Sequence, residues 1–149
     1  MEWSEVINNP LLQNLPFKIE LNKWGKILMS PASNNHGILQ FDVGTIIKEE
    51  KKSGKIIIEC SIQTADGVKV ADVAWASDEF IAQHGRATPY SVAPEICVEV
   101  ISPSNSKKEM QEKINLYLAK GAHEVWLVDQ EGVITYFSYE GQIDQSKEI

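Results

Sequence analysis

A chain of 149 residues is long enough for one domain with a substantial core and too short for two, so a single domain over residues 1–149 is expected. Its composition, 43% hydrophobic and 23% charged, is that of an ordinary globular protein, and no apolar run approaches membrane-spanning length. The net charge of −7 excludes a protein that simply coats nucleic acid, because such binding rests on Lys and Arg neutralising phosphates. It leaves room for an enzyme in which a carboxylate-bound metal ion supplies the local positive charge.

Taken in chain order, "MEWSEVINNP" is mixed and polar, without the basic-then-apolar order of an export signal, so a cytoplasmic setting is the default. "FKIELNKWGKILMS" (17–30) alternates around the turn "NKWGK" and predicts a β-hairpin. Ser33 or Asn34 can cap a helix over about 35–52, with Ile38, Phe41, Ile46 and Ile47 as an imperfect apolar stripe. "IIIECSI" (56–62) and "VKVADVAW" (68–75) read as strands rich in β-branched residues, separated by the turn "ADG". The segment 76–94 reads as loop, with a short helix at "SDEFIAQHG". "EICVEVIS" is a central strand, "SKKEMQEKINLYLAKG" a strong helix, and "EVWLVD" and "VITYFSY" a hairpin around "DQEG". The polar tail after Gly141 is expected to be loose. Cys60 and Cys97 lie in apolar runs and read as small buried hydrophobes. The order predicts an α/β (α+β) domain with a mixed β-sheet flanked by helices and an N-terminal β-hairpin.

Three residues contradict their surroundings. Glu99 lies inside "ICVEVIS", where alternation puts apolar residues on both faces, so no shift of register exposes it. A carboxylate there needs a cation, a hydrogen-bond network or a metal. Asp72 repeats the anomaly inside "VKVADVAW", in a residue type that strands normally exclude. If the two strands are neighbours, the carboxylates lie a few ångströms apart and repel unless a cation sits between them. Neutralising Asp72 with asparagine would then relieve the repulsion in the metal-free protein. A hard divalent ion such as Mg²⁺, content with one or two carboxylates, suits the pair. Lys113 falls on the apolar face of its helix with Met110, Ile114 and Tyr117. Taken alone, its stem covers core atoms while its head snorkels to water. Beside two inward carboxylates it could instead orient a water or offset phosphoryl charge.

These residues carry a resemblance. An aspartate strand, a glutamate strand and a nearby lysine resemble the PD-(D/E)xK nuclease superfamily. "KVADVAWAS", "APEICVEVISPSNS" and "EMQEKINLYLAKGAHEVWLVD" are similar to the bacterial Uma-type family of putative restriction endonucleases. The upstream "IELNKWGKILMSPASNNHG" resembles that family's Glu–Gly strand pair and its histidine at a helix start. The resemblance implies a restriction-endonuclease-like core with Asp72 and Glu99 as ligands of Mg²⁺ or Mn²⁺. The backbone carbonyl of Val100 would be a third ligand, and Lys113 the active-site lysine. Two positions depart from the motif: its proline is Ala71, and its usual lysine two residues after the glutamate is Ile101, so the lysine has migrated to the helix. Glu20 and His36 are second-tier candidates, for which a solvated strand residue and a cap are the plainer readings. Glu109 is explained by a capping box with Ser106, and Tyr117 by the core. The implied activity is metal-dependent hydrolysis of phosphodiesters in nucleic acid, most simply DNA, by a homodimer whose sheet ends in the apolar hairpin 124–137. The alternatives are a non-catalytic nucleic-acid-binding or dimerisation module that keeps the fold, and a structural ion-pair network.

Overall fold

The structure, a computed structural model, describes residues 1–149. A short helix α1 (Trp3–Asn8) leads to the hairpin β1 (Phe17–Leu21) and β2 (Ile27–Pro31), and then to α2 (Asn34–Glu50). Strands β3 (Lys55–Thr64) and β4 (Gly67–Ala76), helix α3 (Asp78–His84) and strand β5 (Ile96–Val100) follow. Helix α4 (Lys107–Ala119) and strands β6 (Glu124–Val128), β7 (Ile134–Ser138) and β8 (Gly141–Ile143) complete the chain. β1 and β2 form a separate two-stranded sheet; the other six lie in the order β3-β4-β5-β6-β7-β8. Only the β5–β6 pair is parallel, because α4 carries the chain across one face between them. The sheet is therefore mixed, as expected.

All five residues of β5 are buried, which is why "ICVEV" is apolar on both faces. On one face α2 covers Val73, Trp75, Ile96, Val98, Trp126 and Val128 through Val43 and Ile47. On the other, Ile114 and Tyr117 of α4 pack with Ala74, Cys97 and Val125, and Phe80 of α3 joins them. A third cluster joins α1 to the hairpin: Trp3 and Val6 meet Leu21, Val68 and Val70. Gly67 permits that docking. At φ +76° it turns β3 into β4, and a Cβ there would stand 2.4 Å from the carbonyl oxygens of Leu21 and Asn22. The hairpin therefore lies against β4, which brings its inward side chains to the end of the main sheet.

Three expectations are corrected. The buried face of α2 is Val43, Gly44 and Ile47, while Ile38, Phe41 and Ile46 are exposed. Gly44 is what misleads, since a residue without a side chain packs against Ile56 and Val73 but adds nothing to an apolar stripe. The tail is not loose: β8 pairs with β7, so the hairpin β6–β7 is not the edge of the sheet. Beyond β8, the buried Glu124 accepts hydrogen bonds from Ser146 Oγ at 2.6 Å and the Lys147 amide at 2.7 Å, as well as from Trp126 Nε1. The capping box of α4 is present as read: Glu109 N–H donates to Ser106 Oγ, and Ser106 N–H to Glu109 Oε1. No helix is long and apolar enough to cross a membrane.

Candidate active site

Five elements converge where β4 and β5 part. The two strands pair from Val73↔Val98 to Trp75↔Ile96 and separate one residue beyond, at Asp72 and Glu99. There the Asp72 side chain takes over the ladder: Oδ2 accepts the Val100 amide at 2.7 Å. Asp72 is fully buried and Glu99 is 2% exposed, so both must be matched by donors. The match is dense. Lys113, on the inward face of α4, places Nζ 3.2 Å from Glu99 Oε1 and 3.0 Å from Glu20 Oε2. Tyr117, one turn further along α4, donates to Glu99 Oε2 at 2.7 Å. Glu20 is buried, and also accepts the Val70 amide at 2.7 Å, which fastens β1 to β4. His36, at the start of α2, lies with Nε2 3.3 Å from Asp72 Oδ1.

All five side chains singled out in the sequence thus meet in one cluster, and Val100 joins it through its amide. The snorkelling reading of Lys113 is overturned: its side chain is buried and its head ends between two carboxylates. The plainer readings of Glu20, as a solvated strand residue, and of His36, as a cap, are also replaced; Ser33 caps α2 by accepting the His36 amide.

Four further members complete the cluster: Lys18, Tyr117, Gln40 and Glu59. Lys18 Nζ sits 3.1 Å from Asp72 Oδ1, 3.0 Å from Glu99 Oε1 and 3.0 Å from the Val70 carbonyl. It could have been found from strand alternation, because it stands two residues before Glu20 and shares its face. Tyr117 reads from the sequence as core, and in the structure it packs in the core and also donates to Glu99. Gln40 and Glu59 compensate for a gap in the β3–β4 ladder. Pairing runs from Lys55↔Ala76 to Thr64↔Gly67 in one register but omits the Glu59–Asp72 position. Glu59 has φ +59°, and Gln40 Nε2 donates to the stranded Asp72 carbonyl at 2.7 Å and to Glu59 Oε1 at 3.0 Å. A non-glycine residue in that conformation is strained, and strain of this kind gathers at functional sites.

The electrostatics follow from burial and pairing. Burial pushes Glu99 above the usual carboxylate range, and Lys113 and Lys18 offset this only in part. At Asp72 burial acts the same way, but the Lys18 ammonium and the His36 ring outweigh it and hold the group below that range. Burial also opposes the charge on Lys18, yet Glu99, Asp72 and Glu20 keep its pKa well above the ordinary lysine value. Asp72 raises His36 against the effect of burial. The Tyr117 phenol is driven well up by burial and by Glu99, so it serves as a donor.

Lys18, His36, Glu59, Glu99, Val100, Glu109 and Lys113 line a narrow pocket of about 30 Å³. His36 and Val100 also border a groove of about 460 Å³ between Pro31–Ser33 and Ile101–Ser104. No three His, Cys, Asp or Glu side chains form a metal cage. The donor set nevertheless fits a hard divalent ion. Asp72 Oδ1 and Glu99 Oε1 are aimed at one point, which the Lys18 ammonium holds, and Mg²⁺ needs no more than one or two protein carboxylates.

A family model described as putative restriction endonuclease (Uma2) matches residues 8–147. The chain belongs to the Uma2 family. Among solved structures it is similar to the crystal structure of a putative nuclease belonging to DUF820 from Anabaena variabilis ATCC 29413. The two share 20% sequence identity, with a TM-score of 0.67 over 86% of this chain and 73% of the other, a likeness of fold. A search of curated proteins found no match. The Uma2 match spans every residue of the cluster, from Lys18 to Tyr117.

Proposed function

We infer that this Uma2 protein is a divalent-metal-dependent endonuclease that hydrolyses phosphodiester bonds, with DNA as substrate. The observation that carries the reading is the meeting of Asp72, Glu99 and Lys113, from β4, β5 and α4, beside an open groove. Asp72 and Glu99 would hold Mg²⁺ or Mn²⁺, with the Val100 carbonyl as a further ligand. Such an ion, when bound, polarises the scissile phosphate and lowers the pKa of a coordinated water.

The chain's own residues do the rest. Lys113 reaches the cluster from a helix and is fixed by Glu20 and Glu99, so its charge is in place before any phosphate arrives. Preorganised charge of this kind stabilises a developing oxyanion without reorganisation at the moment of reaction. Tyr117 fixes the second oxygen of Glu99, while Oε1 is shared by Lys18 and Lys113. His36 lines both cavities, where it can hold a phosphate or a water. With a net charge of −7 the surface draws little on phosphates, and a second subunit would help to surround a duplex.

Supercoiled, linear and single-stranded substrates incubated with Mg²⁺ or Mn²⁺ test this reading. Cleavage by the wild type and none by Asp72→Ala is the expected result; wild-type protein inert on all three would sink it. A non-catalytic module that keeps the fold is the second reading, favoured by the closure of the cluster upon Lys18. Metal-independent binding of the same DNA without cleavage would select it.

A further inference from the structure

The seat between the two carboxylates already holds a cation. Lys18 Nζ stands 3.1 Å from Asp72 Oδ1 and 3.0 Å from Glu99 Oε1, between the two carboxylates that would hold a divalent ion. The motif did not ask for this lysine; the active-site lysine is Lys113. The two differ in what surrounds them. Lys113 projects from a helix, and its amine is locked by Glu20 and Glu99 at the end of the narrow pocket. Lys18 projects from the hairpin strand β1 and also lines an apolar groove of about 520 Å³ with Trp3, Val6, Phe17 and Ile19. Glu59 lines the same groove. Lys18 therefore has somewhere to go: a flexible four-carbon stem can lie along apolar walls while its ammonium exchanges Asp72 and Glu99 for Glu59.

We propose that Lys18 is the resident counter-ion of the Asp72–Glu99 pair, and that a divalent cation enters the site by displacing it toward Glu59. This rests on the metal-site reading above. In the metal-free protein Lys18 holds the two carboxylates together and keeps the cluster from flying apart. Divalent-ion affinity is then set by competition with an internal ammonium, and not by the carboxylates alone. The site would bind metal weakly in the resting protein.

Two measurements test this without reference to cleavage. Calorimetric titration with Mn²⁺ should give Lys18→Met at least tenfold tighter binding than wild type, although its metal-free melting temperature is lower. In the wild type, lysine acetylation mapped by mass spectrometry should find Lys18 shielded without metal and reactive at saturating Mn²⁺, with Lys113 shielded throughout. If Lys18→Met fails to fold, the labelling result decides alone. Wild-type binding with unchanged or weaker affinity in Lys18→Met, or Lys18 labelling indifferent to bound Mn²⁺, overturns the displacement and leaves the metal site standing. No Mn²⁺ binding by wild type or variant overturns the metal site and the displacement with it.

Discussion

At the scale of single residues, the decisive fact is that Lys18, Glu20, Asp72, Glu99 and Lys113 are each held by more than one partner. Lys113 is held by two carboxylates, so removing it leaves Glu20 short of one donor and Glu99 short of another. Breaking one side of a buried pair costs about 3–5 kcal/mol. Lys113→Met should therefore lower stability by an amount of that order, measured by urea denaturation, where a snorkelling lysine would leave it unchanged or slightly raised. Cleavage by the fraction that remains folded should also be lost, because the oriented charge is gone. The cysteines behave in the opposite way. Burial pushes the Cys60 thiol up to about 12, and the Cys97 thiol well above its ordinary value. The thiolate is the reactive form, so native protein at pH 8 should consume no thiol reagent, and unfolded protein should consume two equivalents. Rapid labelling of the native protein would show that the core around β3 and β5 opens.

At the scale of elements, the interrupted β3–β4 ladder is the feature that builds the site. Glu59 occupies a left-handed conformation that costs roughly 1–2 kcal/mol for a residue with a Cβ. In an ordinary strand glycine is less stable than alanine by about 0.5–1 kcal/mol. Here the order should reverse: both variants lose the Gln40 contact, but Glu59→Gly relieves the backbone whereas Glu59→Ala keeps the strain. Thermal unfolding of the two variants checks this, and the ordinary order would mean that the backbone at Glu59 is not strained. Legibility also varied by element. The capped helix α4 and the strand β5 were plain from sequence because their patterns are local. The inner face of α2 was not, because Gly44 and Gln40 pack or bond there without an apolar side chain.

At the scale of the whole molecule, the cluster ties the hairpin, helices α2 and α4 and two central strands together, so its state should be felt in global stability. A divalent ion that binds only the folded state at a hundredfold excess over its Kd adds about 2.7 kcal/mol. For a chain of this length that is a rise of roughly 5–10 °C in Tm. Differential scanning fluorimetry with Mn²⁺ should show it in the wild type and not in Asp72→Asn; a flat wild-type response would speak against the metal site. The asparagine variant should also be less stable than wild type without metal, contrary to the repulsion argument. Lys18 and His36 already neutralise Asp72, and Oδ2 accepts the Val100 amide. We further expect a homodimer. The capped edge at β8 removes the hairpin 124–137 as its reason, but the exposed Ile38 and Phe41 on α2 and Trp24, Leu28 and Met29 on the β1–β2 hairpin remain. Light scattering that reports a monomer at working concentration would end that expectation.

What the sequence by itself determined was the set of residues that do not belong where they stand. A carboxylate inside an apolar strand, or a lysine on the inner stripe of a helix, violates a rule written over a few neighbouring positions. The cost of burying its charge is large enough that only a partner can explain it. Asp72, Glu99 and Lys113 were legible for that reason. Which partners answer them was decided only by tertiary structure. Lys18 and Glu20 lie on a strand of alternating character, and a long charged side chain reads the same whether its head meets water or a buried carboxylate. Docking of the hairpin onto β4, through Gly67 and the Glu20–Val70 bond, turns those two side chains inward. That contact joins positions some fifty residues apart, and no local pattern records it.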